Sequence, residues 1–277
     1  MVAATRNIAP IRSGIVSGIL SEIGPLSKST SGLKMLIYGV SGSGKTRLAS
    51  TFRKPMLLVK ADEGTGSIHN VKGIDEVPKN GRLIRADDVL ALVAHQRESK
   101  KYKTFVFDHI SAYQELVLSE VIGKPVPTQL GYREIHRNDW GKVAHKMKDV
   151  LRAVLELSDT CDILFIAQER GAKEGGEGSS DYDDMIIPFV NGEMAPSVAK
   201  WLNPEVDYIC QTFKKMGTEQ VKKKVGNKIL ETDVEKVQFC LRVGPHPIFL
   251  TKFRGIENME QDYIIDPTYE KIAKLIG

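Results

Sequence analysis

The sequence predicts an α/β fold in which a mainly parallel sheet is flanked by helices and extended by antiparallel edge strands toward the C-terminus. Two observations support this prediction. Over the first two thirds of the chain, short apolar segments alternate with helix-forming ones, as the crossover connections between parallel strands require. After Trp201 the apolar segments follow one another with few helix-forming stretches between them, which is typical of antiparallel strands.

Each predicted strand of the first part is followed by a predicted helix. The strands are residues 33–38, 56–60, 104–107 and 163–167. The helices are residues 45–53, 89–96, 111–121 and 139–157. The last helix is the clearest, because Trp140, Val143, Met147, Val150, Leu151 and Val154 recur at helical spacing. The later strands are predicted at residues 206–213, 237–243 and 248–253.

Composition restricts the class of protein. Of the 277 residues 42% are hydrophobic and 27% are charged, which is typical of a globular protein, and no apolar run is long enough to cross a bilayer. We therefore expect no membrane partner. The net charge of +4 is too small to indicate a polyanionic partner by itself. Three cysteines without a CxxC pair argue against disulfides and for a reducing compartment.

Residues 1–32 differ in composition from the rest, and we expect an N-terminal arm or tail followed by one domain at residues 33–277. Five isoleucines of the N-terminal segment recur at helical spacing: Ile8, Ile11, Ile15, Ile19 and Ile23. Two interpretations stay open. The segment is a partly ordered tail, as termini often are, or an arm that docks its isoleucines on a neighbouring subunit.

A phosphate-binding loop is the strongest motif of the chain. Residues 39–46 satisfy the pattern G-x-x-x-x-G-K-[ST] between a predicted strand and a predicted helix. In such a loop the backbone N–H groups surround phosphate oxygens, the lysine bridges the β- and γ-phosphates, and the Ser or Thr hydroxyl holds Mg²⁺. The predicted nucleotide-binding residues are Gly39, Ser41, Gly42, Ser43, Gly44, Lys45, Thr46 and Arg47. The alternative is a plain Gly/Ser turn.

Three further polar residues follow predicted strands, where ligands of parallel sheets bind. Asp108 ends the third strand and is predicted to hold Mg²⁺ together with Thr46, so that ATP and Mg²⁺ are the expected cofactors. Glu63, with Asp62 as the fallback, is the candidate base that activates water. Gln168 is a candidate sensor of the γ-phosphate. Each residue has an alternative as an ordinary cap or turn residue.

The order of these motifs resembles that of RecA-like ATPases, over roughly residues 32–256. Trp140 and the segment 251–255 narrow the likeness to phage-encoded RecA-like ATPases of the single-strand-annealing type. The resemblance implies that Lys252 and Arg254 reach into a neighbour's nucleotide site and act there as catalytic cations, the alternative being solvated basic residues on an edge strand. It also implies a ring or filament, a role in recombination, and the cytoplasm of a bacterial host.

Two segments are candidates for the contact with single-stranded DNA that the resemblance implies. Residues 170–184, which begin at Arg170, follow the sensor strand as DNA loops of RecA-like proteins do, but their net charge is −3. Residues 214–228 contain Lys214, Lys215, Lys222, Lys223, Lys224 and Lys228 against Glu219 alone. The basic segment is predicted to project as a hairpin or loop. The alternative is a solvated face.

The function that the sequence favours is a Mg²⁺-dependent, oligomeric RecA-like ATPase that binds single-stranded DNA in recombination or annealing. Two alternatives from other classes stay open. One is a P-loop kinase acting on a small molecule, although residues 171–184 contain no arginine of the kind that kinase lids carry. The other is a regulatory protein whose bound ATP only stabilises an assembly.

Overall fold

A mixed sheet forms the centre of the computed structural model, which describes residues 31–62, 68, 70–79, 82–123, 135–171, 190–225, 228–256 and 259–277. The strands are β1 (Lys34–Gly39), β2 (Met56–Lys60), β3 (Ile74–Val77), β4 (Thr104–Asp108), β5 (Asp162–Gly171), β6 (Val190–Gly192), β7 (Tyr208–Val225), β8 (Lys228–Arg242), β9 (Lys252–Phe253) and β10 (Tyr263–Ile265). The α-helices are α1 (Lys45–Ala49), α2 (Ala86–Ser99), α3 (Ile110–Ile122), α4 (Arg137–Leu155), α5 (Pro196–Glu205) and α6 (Tyr269–Ile276). A 3₁₀ turn at Glu156–Asp159 follows α4.

The strand order confirms the predicted α/β fold. Across the described residues the sheet runs β3-β2-β4-β5-β1-β7-β8-β10, and β3 through β7 of this path are mutually parallel. The strands β8, β9 and β10 pair antiparallel, at the edge where the sequence predicts such strands. One detail differs from the prediction of antiparallel strands after Trp201. The first of these strands, β7, is parallel to β1 and is reached through α5.

Both faces of the sheet are covered, because its central strands are apolar on both sides. Leu36 and Phe165 belong to a core cluster that also contains residues of α2, α3, α4 and α5. Their neighbours Ile37 and Ile166 belong to a second cluster with α1 and α6. Successive residues of a strand point to opposite faces, so the alternation of the two clusters defines a helix–sheet–helix arrangement.

Several elements differ from the predicted ones for local reasons. Helix α1 ends at Ala49 rather than at residue 53, because the hydroxyl groups of Ser50 and Thr51 donate back to the carbonyls of Arg47 and Leu48. The strand predicted at residues 248–253 shrinks to β9, since the ring of His246 accepts the backbone N–H groups that a ladder would need. Side-chain bonds thus replace regular secondary structure at both places.

Two features of the helices were also not predicted. Trp140 is 37% exposed although it was placed on the buried stripe of α4. Helix α2 is longer than predicted and begins after Arg85. Asp88 occupies its third position and accepts the N–H of Arg85, which is one half of a capping box. The acidic residue therefore stabilises the helix from within its first turn.

A two-stranded ribbon extends from the edge of the sheet. The pairing of β7 with β1 ends at Thr212, and β10 pairs with β8 only from Cys240 onward. Among the described residues, the strand segments 214–225 and 228–239 therefore have each other as ladder partners, with one further backbone bond from the N–H of Asp266 to the carbonyl of Phe239, and we call these two segments the ribbon. Twelve residues per strand correspond to about 40 Å of length. The predicted projecting hairpin is thus present.

All three cysteines are buried and free, which fits the predicted absence of disulfides. Within the described part of the chain, no helix has both the length and the apolar character that crossing a membrane requires. The predicted N-terminal arm lies outside the described residues, apart from its last two positions. Residues 31–277 form one compact unit.

Candidate functional site

The register of the parallel strands brings the predicted site residues to one edge of the sheet. Gly39 at the end of β1 pairs with Gln168 of β5, and Lys60 at the end of β2 pairs with Asp108 of β4. Because β5 lies between β1 and β4, Gln168 stands between the phosphate-binding loop and Asp108. This edge is formed by the carboxyl ends of the strands, where ligands of parallel sheets bind.

The loop at residues 39–46 borders an open cavity of about 630 Å³. The walls of the cavity include Ser41, Gly42, Lys45, Thr46, Asp108 and Gln168. Two glycines of the loop are sterically required. A Cβ on Gly39 would lie 2.3 Å from the carbonyl oxygen of Thr212, and Gly44 has a φ of 93°, a region that side chains disfavour. Ser43 faces away from this cavity and bonds the Thr212 hydroxyl at 2.7 Å.

Lys45 lies in the loop with its ammonium group directed at three oxygen atoms. Its Nζ donates to the carbonyls of Gly39 at 2.7 Å and Val40 at 2.9 Å, and to Oε1 of Gln168 at 3.2 Å. Burial lowers the pKa of Lys45, while the negative charges of Asp108, Glu169 and Asp62 act in the opposite direction. The structure therefore brings the predicted P-loop lysine and the predicted sensor into direct contact.

Thr46 and Asp108 form the second pair of predicted residues that meet. The hydroxyl of Thr46 donates to Oδ2 of Asp108 at 2.7 Å. Asp108 is only 6% exposed, and its burial raises the pKa of the carboxyl group although the bond from Thr46 lowers it. A hydroxyl and a carboxylate beside a phosphate-binding loop are the hard oxygen donors that Mg²⁺ prefers, and Mg²⁺ needs few protein ligands. The donor set thus fits Mg²⁺.

His109 is a site residue that sequence reasoning missed. Its Nδ1 accepts the N–H of Ala112 at 3.0 Å and so caps α3, which leaves Nε2 to donate to Oδ2 of Asp62 at 3.1 Å. Both Asp62 and His109 line the cavity. The position of His109 next to Asp108 was the available signal. The other candidate base, Glu63, lies outside the described residues.

The sensor strand is held in place by α3 and β6. The hydroxyl of Ser111 accepts the backbone N–H of Gln168 at 3.0 Å and donates to the carbonyl of Glu193 at 2.7 Å. Glu169, the next residue, accepts a bond from Gln211 at 2.7 Å, and Gln211 accepts one from Arg242 at 3.0 Å. The end of β5 is therefore connected by side-chain hydrogen bonds to the parts of β7 and β8 from which the ribbon extends.

The ribbon also contributes directly to the cavity. Phe239 lines it, and the guanidinium of Arg47 lies 5.4 Å from the centre of the Phe239 ring. Phe239 borders a second cavity of about 130 Å³ as well, on the other side of Gly44 and Arg47. The sequence predicted Lys214 only as part of the basic segment and did not single out Phe239, because both residues lie some 170 to 200 residues beyond the loop.

The proposed trans-acting cations lie apart from the cavity of their own chain. Lys252 donates to the carbonyls of Asn203, Pro204 and Val206, at the C-terminal end of α5. Arg254 forms an ion pair with Asp207 at 2.7 Å, and its side chain is 60% exposed. The three bonds of Lys252 occupy its donors within the chain, so Arg254 is the freer of the two side chains.

The two DNA-contact candidates are described to different extents. Most of residues 170–184 lies outside the described residues. In residues 214–228, Lys215 bonds the Tyr263 hydroxyl at 2.7 Å and lies over its ring, so it packs against β10 at the base of the ribbon. Lys214 lies beside the phosphate-binding loop, because a Cβ added to Gly42 would be 3.5 Å from its Nζ. The remaining four lysines belong to the outer part of the ribbon.

Comparison with known proteins places this site in a family. Residues 31–240 match the family AAA_24, described as “AAA domain”. None of the curated proteins matches the chain significantly. Among solved structures, the flagellar accessory protein FlaH from Methanocaldococcus jannaschii is similar at 12% sequence identity and a TM-score of 0.39, over 86% of this chain and 85% of that chain.

The family match covers more than half of the chain and includes the phosphate-binding loop, Asp108 and Gln168. The structure adds a parallel sheet in which the sensor strand separates the loop strand from the strand that carries the acid. The chain therefore belongs to the AAA domain family AAA_24, and it carries its phosphate-binding loop at the end of the central strand β1 of a mainly parallel α/β sheet.

Proposed function

We propose that this protein hydrolyses ATP with Mg²⁺, binds single-stranded DNA and assists recombination or strand annealing as an oligomer, like the phage-encoded annealing ATPases that its motifs resemble. One observation carries the catalytic part. The four residues Lys45, Thr46, Asp108 and Gln168 come from three separated places in the sequence, and they form two hydrogen-bonded pairs at one open cavity. That combination suits a nucleoside triphosphate with its metal.

In this proposal the residues of the cavity divide the work of phosphoryl transfer. Lys45 exchanges its bonds to the loop carbonyls for bonds to phosphate oxygens, and Gln168, its present partner, senses the γ-phosphate. When bound, Mg²⁺ supplies positive charge that offsets the charge developing on the phosphate oxygens. Thr46 and Asp108 hold that ion, directly or through its water shell. The backbone N–H groups of residues 41–45 bind the phosphates.

A carboxylate is needed to orient the attacking water and take its proton. The water oxygen forms a bond to the γ-phosphorus, the bond from that phosphorus to the β–γ bridging oxygen breaks, and ADP and phosphate leave. Glu63 is the first candidate, from its place just beyond β2. Asp62 is the candidate that lines the cavity, and His109 fixes its orientation through the bond at 3.1 Å.

Steady-state release of phosphate from ATP tests the catalytic proposal. We expect Mg²⁺-dependent turnover in the wild type and a loss of about 100-fold or more in Lys45→Ala, as removal of a charge-stabilising group at the transition state produces. Lys200→Ala, at an exposed position of α5, is the matched control. Turnover that survives in Lys45→Ala would contradict the proposal. Nucleotide binding without any turnover would favour the regulatory alternative.

We assign DNA binding to the outer part of the ribbon. Its sequence contains Lys222, Lys223, Lys224 and Lys228, and the backbone there is paired in a continuous β-ladder. Affinity for single strands comes mainly from the contacts of lysine and arginine with phosphates. Over the whole ribbon, seven lysines and four acidic residues give a charge of +3, so we expect binding of moderate strength that depends on salt.

The salt dependence of DNA affinity tests this assignment. In a triple Lys→Gln variant at residues 222–224, the slope of log K against log salt should become smaller in magnitude by about 2, since each lost phosphate contact contributes about 0.7. The matched control carries Lys→Gln at the exposed positions Lys72, Lys200 and Lys274, which changes the net charge equally. Equal slopes in the two variants would refute the assignment to the ribbon.

For assembly we propose that Arg254 supplies positive charge to a neighbour's nucleotide. An arginine acting in trans contributes about 10³–10⁵ in rate. ATPase activity per protomer should therefore rise with protein concentration, and Arg254→Ala should abolish that rise. Asp207→Asn is the control, because it breaks the same ion pair but keeps the cation. A concentration-independent rate in the wild type, or full activity in Arg254→Ala, would remove the proposed finger.

A further inference from the structure

The base of the ribbon touches the phosphate-binding loop at two glycines. Lys214 of β7 and Phe239 of β8 are opposite each other in the ladder. A Cβ on Gly42 would lie 3.5 Å from Nζ of Lys214, and a Cβ on Gly44 would lie 2.9 Å from Cδ1 of Phe239. This first rung of the ribbon therefore lies against the loop of the same chain.

Lys214 places an ammonium group beside the site predicted for phosphates. Its side chain is exposed, and its Nζ lies 5.8 Å from the centre of the Phe239 ring. Among the residues that the structure describes, no carboxylate forms an ion pair with it. By contrast, the lysines at positions 34, 60 and 101 each have a carboxylate partner. An ammonium held next to Gly42 without an acidic partner is suited to bind an anion.

Phe239 and Arg47 form a platform beside Gly44 of the loop. The guanidinium lies over the aromatic ring, and both groups border the main cavity and the smaller one of about 130 Å³. The smaller cavity is also lined by Thr51, which follows α1, and by Asp266 and Thr268, which precede α6. Aromatic rings and guanidinium planes are surfaces on which nucleobases stack.

We propose that the Lys214–Phe239 pair is part of the nucleotide site, so that the position of the ribbon depends on bound nucleotide. Lys214 binds the triphosphate from the same chain, and Phe239 with Arg47 carries the nucleobase. Bound ATP then ties the base of the ribbon to the loop. The bonds from Glu169 through Gln211 to Arg242 also connect β5 to the parts of β7 and β8 from which the ribbon extends. The inference rests on the ATP binding of the proposed function and extends it to the ribbon.

Displacement of a fluorescent ATP analogue by ATP and by inorganic tripolyphosphate separates the two roles. Lys214→Gln should lower the affinity for both competitors about tenfold, because a charged hydrogen bond is lost. Lys214→Arg should bind both with an affinity within about twofold of that of the wild type. Phe239→Leu should lower the affinity for ATP about tenfold, because stacking with the base is lost, and leave the affinity for tripolyphosphate unchanged. Lys200→Gln is the matched control. Thermal unfolding of each variant verifies that it is folded.

The outcomes distinguish this inference from the proposed function. If the wild type binds ATP, Lys45→Ala does not, and both rung variants bind like the wild type, the inference is overturned and the ATP site remains. If Phe239→Leu weakens both competitors equally, the platform does not carry the base. If the wild type does not bind ATP, the proposed function fails as well.

Hydrogen exchange measures the coupling itself. ATP should slow amide exchange at the base of the ribbon, at residues 214–218 and 235–239, because a ligand that bridges the rung and the loop suppresses local opening. We expect this protection in the wild type and its loss in Lys214→Gln under saturating ATP. Protection that persists in Lys214→Gln would refute the coupling through Lys214.

Discussion

The substitution Asp108→Asn should make the protein more stable in the absence of nucleotide while it removes Mg²⁺-dependent ATP hydrolysis. Burial is the largest influence on this carboxyl group and raises its pKa, and the nearby charge of Asp62 acts in the same direction. The hydroxyl of Thr46 and the charges of His109 and Lys45 oppose the rise without cancelling it. The ionised group is therefore less favourable in the folded chain than in water.

The magnitude follows from what asparagine keeps and what it removes. Its amide oxygen still accepts the hydroxyl of Thr46, which now donates to Oδ2 at 2.7 Å, whereas the buried charge disappears. Removing a buried charge that the site keeps for its function adds about 1 kcal/mol to the free energy of unfolding. For the unit formed by Ser31–Gly277, that corresponds to a rise in Tm of about 2–4 °C.

The effect should depend on pH in a defined direction. A carboxyl group with a raised pKa in the folded state imposes its cost when it is ionised, at pH values above that pKa. As the pH falls through the raised value toward the ordinary 3.8, Asp108 becomes protonated and the cost disappears. The advantage of Asp108→Asn should thus be complete near neutral pH and shrink in acid, which melting curves recorded by circular dichroism over a pH series measure.

Asp162 provides a matched buried carboxylate with the opposite expectation. It is 2% exposed, and it accepts two bonds of 2.6 Å from Arg53 and one of 2.9 Å from the N–H of Leu33. Asp162→Asn breaks a bidentate ion pair and should cost about 1–2 kcal/mol, with the partial exposure of Arg53 limiting the loss. A lower melting temperature for Asp108→Asn than for the wild type at neutral pH would refute the reasoning.

Three further substitutions test local contacts of the site. Thr46→Val leaves the buried Asp108 without its donor and should lower stability by about 1–3 kcal/mol and prevent Mg²⁺-dependent turnover, whereas Thr46→Ser should preserve both in melting and ATPase assays. Gly44→Ala places a methyl group 2.9 Å from the Phe239 ring at a φ of 93°, so it should cost about 1 kcal/mol or more in denaturant titrations and weaken ATP binding. His109→Ala should cost about 1 kcal/mol by removing the cap of α3, while His109→Asn, which can still cap, should melt like the wild type.

Much of the site was predictable because parallel strands have a simple geometry. The carboxyl ends of such strands lie at one edge, so a motif residue that follows a strand is already assigned to that edge. This rule is sufficient for Lys45, Asp108 and Gln168, which the structure brings together in that way. The strand order itself, with β5 between β1 and β4, was not predicted from the sequence.

The residues that were missed depend on contacts between distant parts of the chain. His109 acquires its contact with Asp62 from the turn that follows β4, and its imidazole carries no motif of its own. Phe239 and Lys214 reach the loop because a ladder of specific register, Lys214 opposite Phe239, lies beside it. Shifting a strand by one residue would move each side chain to the other face, so composition alone cannot place them.

The sequence by itself determined the α/β class, the phosphate-binding loop and the acidic and amide residues that follow the strands, because these depend on local periodicity and on spacing along the chain. Which side chains complete the site depends instead on contacts between distant parts of the folded chain. The base of the ribbon faces Gly42 and Gly44, and Lys252 is engaged with the end of α5. These arrangements follow from strand register and packing between segments up to 200 residues apart, which no local pattern encodes.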